Sequence, residues 1–262
     1  MSATMQLVYT PDDRDRLRSD LLNLAANDAR LTGAASTGSA ALEREDQWSD
    51  IDLAFGVSDG VDVAAVLSDW TAMMYRRADV LHHCDLQRDS WSYRVFLLRS
   101  TMQVELAFAP AAEFRVLAPS FRLVFGQASE PQYIAPAASD KVIGLAWLYA
   151  LHARSSIARR RFWQAEYMIS GVRQNALALA CLRLRLPATQ GRSFDLLPAA
   201  VAAAFEDALV GCLDAAELSR AFRAALRCFR WEVRLANCEL ADRLEGAFAL
   251  FEDPMSPSLR DP

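Results

Sequence analysis

Residues 50–55 read Asp-Ile-Asp-Leu-Ala-Phe, and this alternation constrains the chain more than any other stretch. Side chains on a strand point alternately to opposite faces, so Asp50, Asp52 and Ala54 share one face and Ile51, Leu53 and Phe55 the other. The apolar set can pack on a core while the two carboxylates stand together on the opposite side. Neighbouring carboxylates repel unless positive charge lies between them, and a hard, oxygen-preferring cation such as Mg2+ meets that need. A second strand, Leu31 to Ser36, ends just before Thr37-Gly38-Ser39. A Gly-Ser turn offers backbone N–H groups and a hydroxyl, which suit phosphate oxygens. Further on, Val104-Glu105-Leu106 sets an acid inside an apolar strand, Met102 to Phe108, where Glu105 shares its face with Gln103 and Ala107. Small or polar neighbours on the carboxylate faces suit a site better than a core.

The combination of Gly38-Ser39, roughly ten residues, Asp50-Ile51-Asp52 on a strand, and Glu105 on a later one resembles the nucleotidyltransferase superfamily of the DNA polymerase β type. Trp48-Ser49-Asp50-Ile51-Asp52-Leu53 is most similar to the small bacterial members that modify antibiotics. Asp-x-Asp alone would also fit a solvent-facing edge strand, and Gly-Ser any turn; the joint spacing makes the pattern specific. The resemblance implies an α/β (α+β) catalytic domain with a mixed sheet and flanking helices, followed by an all-α helical bundle. It implies two Mg2+ ions held by Asp50, Asp52 and Glu105. It also implies ATP or another nucleoside triphosphate as donor, with Gly38 and Ser39 at its β- or γ-phosphate. The reaction would move AMP onto a hydroxyl of a small molecule of the aminoglycoside or lincosamide kind, releasing pyrophosphate, an activity associated with antibiotic resistance. Two rivals stand beside this reading: a protein-modifying or antitoxin-type nucleotidyltransferase, and a catalytically inactive nucleotide-binding homologue. The long helical half counts against the first, and the intact carboxylates against the second.

Composition narrows the choice. Of 262 residues, 53 % are apolar, ample for a core, and the net charge of −5 argues against a nucleic-acid surface, which carries a basic excess. Nucleotide and small-molecule acceptor are the expected partners, and a homodimer is left open. Five cysteines with no Cys-x-x-Cys pair read as buried thiols in a reducing cytoplasm. Neither a membrane-length apolar run nor a leader-like start is present in the sequence.

In chain order, Pro11 to about Asn27 reads as a helix, as does Val61 to Arg77. Strands are expected at Asp79–Leu86, Tyr93–Leu98 and Met102–Phe108, the last two joined at Arg99-Ser100-Thr101, with a further short strand at Phe121–Phe125. His82 and His83, adjacent on a strand, point apart and read as structural. The expected domains are 1–130 and 136–253, joined by a Pro-containing linker between Pro131 and Pro136. Beyond it the chain turns Ala-, Leu- and Arg-rich. Ser139-Asp140 should cap a helix from Lys141 to Ile157. Others are expected at Phe162–Leu186, Pro198–Cys212, Asp214–Phe229 and Glu232–Phe251, packed up and down, and the tail after Asp253 should fray.

Lys141 is the single lysine. Enzymes of the resembled family often place a lysine there to reach the triphosphate, although an exposed helix-start lysine is equally consistent. Arg159, Glu166 and Arg173, spaced by seven, should lie on one helix face. Either they form a solvated stripe or Glu166 is a general base held by arginines, with Arg173 also facing the nucleotide. The resemblance implies that the helical half lines the acceptor pocket.

Overall fold

The computed structural model describes residues 9–132 and 138–252, so the central part of the expected linker, the N-terminal eight residues and the tail from Asp253 lie outside the described residues. The chain divides into two compact units, Met1–Ile134 and Ala135–Pro262.

The first unit opens with helix α1, Pro11–Ala26. Thr10 and Asp13 close it reciprocally: the Thr10 hydroxyl accepts from the Asp13 N–H, and the Asp13 carboxylate accepts from the Thr10 N–H. Strand β1, Leu31–Thr37, leads into a single helical turn, α2, Gly38–Ala41. Strand β2 is Ile51–Val57 and helix α3 Val63–Arg77. Strands β3, Val80–Arg88, β4, Trp91–Leu98, and β5, Gln103–Pro110, follow, and β6, Phe121–Gly126, completes the sheet. The order across the sheet is β3-β4-β5-β2-β1-β6. Only β2 and β5 pair in parallel; every other neighbour is antiparallel. The expected mixed sheet with flanking helices is therefore present, and the turn at Arg99-Ser100-Thr101 joins β4 to β5 as anticipated.

Alternation sorts the two faces. Ile51, Leu53, Phe55, Val104, Leu106 and Phe108 are buried together with Val66, Trp70 and Met74 of α3 and Leu21 and Ala25 of α1. Phe55, Trp70 and Phe108 meet with ring centroids 4.9–5.7 Å apart. The opposite face carries a smaller apolar set, Ala35, Ala54, Trp91, Ala107, Ala109 and Phe114. Phe114 packs against Gly33 and Gly56, where a Cβ on either glycine would stand 2.9 Å from its ring. The paired glycines thus let one phenyl ring close this end of the face, leaving the other end to the carboxylates.

In the second unit the helices are α4, Ser139–Ala158, α5, Phe162–Arg183, α6, Ala199–Glu206, α7, Ala215–Ala236, and α8, Cys238–Glu252. No strand occurs among its described residues. Its core is built largely from alanines, including Ala146, Ala150, Ala165, Ala176 and Ala221, which let helices approach closely. Arg183 of α5 donates twice to the Glu232 carboxylate of α7, at 2.9 and 3.0 Å, and Glu232 is only 1 % exposed.

Several expected boundaries are corrected. Residue Ala138, not Ser139-Asp140, caps α4, and it does so without a side-chain bond. Helix α6 ends at Glu206 rather than Cys212, because Arg220 donates to the Asp207 and Leu209 carbonyls and Arg173 to the Ala208 carbonyl. Those acceptors are then occupied by side chains instead of by the next helical turn. Helix α7 runs unbroken through Arg230-Trp231. Its buried positions Phe222, Leu226, Phe229 and Val233 keep their spacing while Trp231 faces outwards. The break falls at Asn237, extended at φ −157° and ψ 95°, whose side chain accepts from the Leu240 N–H at the head of α8. All five cysteines are free thiols; Cys181 and Cys228 are buried, but Cys84, Cys212 and Cys238 are exposed, contrary to the expectation of burial. Among the described residues, no helix is long and apolar enough to cross a membrane.

Candidate active site

The parallel pairing of β2 with β5 determines the site. Its register sets Asp52 directly opposite Glu105 and Ala54 opposite Ala107. Residues directly opposite in a ladder share a face, so the two carboxylates project side by side from neighbouring strands, roughly 5 Å apart at the backbone. Both are half-buried. Asp50 lies one residue before β2, and its Oδ2 accepts a 2.8 Å hydrogen bond from the Gln103 side-chain amide.

Gly38 stands against this group. Its φ is +62°, and a Cβ there would fall on the Asp52 carboxylate. Glycine is thus required twice, for its conformation and for space. Gly38 also begins α2, so it and Ser39 bring the first N–H groups of that turn beside Asp52. The Ser39 carbonyl accepts from Leu42 and Arg44, which tightens the turn.

On β4, Val95 is opposite Glu105 and Tyr93 opposite Ala107, which puts Tyr93 on the carboxylate face. Burial pushes its phenol pKa up, and the nearby Glu105 carboxylate adds to this. Tyr93 stacks near Trp91, and Trp91 near Phe114, forming an aromatic wall beside the acids.

An all-oxygen donor set of Asp52, Glu105 and Asp50 fits a hard divalent cation in kind. It is not drawn into a cage, because Asp50 is turned to Gln103. Among the described residues, no group of three or more His, Cys, Asp or Glu side chains is gathered closely enough to hold a metal ion. His83 instead shares a 2.9 Å hydrogen bond with the Tyr75 hydroxyl.

The loop leading to Asp50 is held from α1. Arg14 Nη1 donates to the Asp46 carbonyl at 2.6 Å and reaches the Ser49 carbonyl at 3.5 Å. The Ser49 hydroxyl accepts from the Asp46 N–H at 2.9 Å and donates to the Asp46 carboxylate at 3.1 Å. Hydrogen bonds from the Trp48 N–H and then from Ser49 hold the Asp46 pKa below its ordinary value. Gln103 as a partner and Arg14 as a brace were not anticipated from sequence. A signal for Arg14 existed: it falls on the inward stripe of α1 with Leu21 and Ala25, an unusual place for a charge.

The remaining expected residues belong to the helical unit. Lys141 is exposed in the first turn of α4. Glu166 and Arg173 share α5, but Arg159 does not lie with them: it is the C-cap of α4, and the chain turns through Arg160 at φ +56° before α5 begins. Arg159–Arg161 interrupts the helix, so the spacing by seven does not carry Arg159 onto the same face. Glu166 accepts from the Ser170 hydroxyl at 2.7 Å, and Arg173 donates to the same oxygen at 3.0 Å and to the Ala208 carbonyl at 2.9 Å. Burial lowers the Arg173 pKa, and Glu166 offsets this in part. Arg173 therefore has an internal duty, joining α5 to the end of α6.

No protein-family model and no curated protein matches the chain. Among solved structures it is similar to an aminoglycoside 6-adenyltransferase from Bacillus subtilis. The identity is 15 %, over 88 % of this chain and 94 % of that one, with a TM-score of 0.42. A likeness that loose carries no argument about activity, so the functional reading rests on this chain's own residues.

Proposed function

We propose that the chain is a nucleotidyltransferase that moves a nucleoside monophosphate, AMP from ATP, onto a hydroxyl of a small molecule of the aminoglycoside or lincosamide kind. The observation that carries this reading is the in-register pairing of Asp52 with Glu105 beneath a glycine turn that has no room for a side chain. Asp50, Asp52 and Glu105 are the residues that would hold Mg2+, with Asp50 released from Gln103. Bound there, Mg2+ would offset the charge of the triphosphate oxygens and favour the alkoxide form of the attacking hydroxyl. Gly38 and Ser39 offer N–H groups and a hydroxyl to the β- or γ-phosphate, and Lys141 adds a flexible ammonium for the triphosphate. The acceptor oxygen forms the new bond to the α-phosphorus as the bond to pyrophosphate breaks. Glu166 takes the hydroxyl proton, its carboxylate held in place by Ser170 and, through it, by Arg173.

Calorimetry with Mg2+ and a non-hydrolysable ATP analogue tests the site. Wild-type protein should bind the Mg2+–nucleotide pair, and Asp52→Asn and Glu105→Gln should lose most of that affinity while keeping the wild-type circular dichroism spectrum. Equal affinity in both variants would rule the carboxylates out as its binding site.

A further inference from the structure

Arg14 is a buried charge that the proposed reaction does not itself use. Its side chain is 5 % exposed, yet it faces a loop rather than a single acid. Its guanidinium reaches the Asp46 and Ser49 carbonyls and stands 3.3 Å from both the Asp15 and Glu45 carboxylates. The contact with Glu45 is an ion pair without hydrogen-bond geometry, since Glu45 Oε1 is buried with no hydrogen-bond partner. Glu45 in turn accepts from Arg18 at 2.8 Å, and Arg18 also pairs with Asp15. Burial pushes the Tyr9 phenol pKa up, and the charge of Arg14 offsets this in part. The Ser49 carbonyl belongs to the peptide unit that carries the Asp50 nitrogen. Holding it fixes where the chain enters β2.

We infer that Arg14 is a positioning residue for the carboxylate site: it clamps residues 46–49 to α1 and so sets the backbone from which Asp50 projects. The inference rests on the proposed metal-dependent transfer. Exposed loop carbonyls would otherwise exchange partners with water, and Asp50, outside the ladder, has no strand pairing of its own to hold it. Nη1 faces both carbonyls while Nε faces the Asp15 and Glu45 carboxylates, and an ammonium, with all its donors on one nitrogen, cannot reproduce that division. Groups that orient metal-binding side chains are typically worth about 10–100-fold in affinity or activity.

The test uses the full chain and three variants, Arg14→Lys, Arg14→Gln and Glu45→Gln, with Arg99→Gln, an exposed pair to Asp79, as control. Amide hydrogen exchange is followed without metal, and the Mg2+ concentration giving half-maximal nucleotide binding and transfer is measured beside KM for ATP. Both Arg14 variants should show faster exchange confined to residues 46–52 and a half-saturating Mg2+ concentration raised about 10–100-fold, with KM for ATP at saturating Mg2+ little changed. Glu45→Gln should move both readouts less, in the same direction, and it carries the test should Arg14→Gln fail to fold. A merely structural arginine would lower the active fraction without moving the Mg2+ midpoint. Unchanged exchange, or faster exchange with an unchanged Mg2+ midpoint, would overturn the inference. A wild-type protein with neither Mg2+-dependent nucleotide binding nor transfer would instead overturn the proposed function.

Discussion

At the residue scale, the carboxylate group has little freedom. Gly38 cannot carry a side chain: an L-residue at its φ of +62° is strained by roughly 1–2 kcal/mol, and the added carbon would collide with Asp52. Gly38→Ala should therefore displace Asp52 and remove nucleotide transfer, with a loss of stability of that order in urea unfolding; a fully active Gly38→Ala protein would contradict this geometry. Asp50→Asn keeps the Gln103 partnership in reach but removes a negative charge, so transfer should be lost while the fold persists. Glu166→Gln should cut kcat by about a hundred- to ten-thousand-fold with unchanged ATP affinity if Glu166 is the base. If it only anchors Ser170 and Arg173, the same variant would melt earlier and keep its turnover.

At the element scale, the alternation of β2 and β5 was readable from sequence because a strand's period is two, and apolar and acidic residues obey it in both. Their register was not readable: the alignment of Asp52 with Glu105 is a non-local ladder between residues more than fifty apart. The same reason hid the end of α6, where Arg173 and Arg220 take carbonyls from distant parts of the chain. Arg159 was misplaced because a spacing of seven presumes one continuous helix. Helix α7 continues through Arg230-Trp231, a polar and bulky pair in sequence, because Trp231 lies on its outward stripe while Arg230 pairs with Glu245 of α8. Two contacts between elements give tests. Asp28 at the end of α1 accepts from Arg30 and from the Trp70 indole of α3, and these bonds, led by Arg30, lower its pKa from 3.8 to about 2. A carboxylate with a lowered folded-state pKa stabilises the protein fully above its unfolded value, and the contribution fades as pH falls from about 4 towards 2. Asp28→Asn should cost about 1–2 kcal/mol at pH 6, after allowance for solvent screening. Almost none of that should remain near pH 2, as followed by Trp fluorescence; a pH-independent difference would contradict the assignment. Arg183→Met should cost about 3–5 kcal/mol, since it strands the buried Glu232 charge.

At the scale of the whole molecule, the change from alternating strands to alanine-rich helices announced two kinds of architecture, and the structure has one unit of each. The sheet unit holds the groups suited to cation and phosphate: Gly38, Ser39, Asp50, Asp52 and Glu105. The helical unit holds Lys141, Glu166 and Arg173. The most direct measurement is pyrophosphate release from ATP and Mg2+ by wild-type and Asp52→Asn proteins, against a panel of aminoglycoside and lincosamide acceptors. The account predicts acceptor-dependent release by the wild type, with one AMP joined to the acceptor, and none by Asp52→Asn. Equal release by the two proteins, or a product in which AMP is joined to no acceptor, would contradict it.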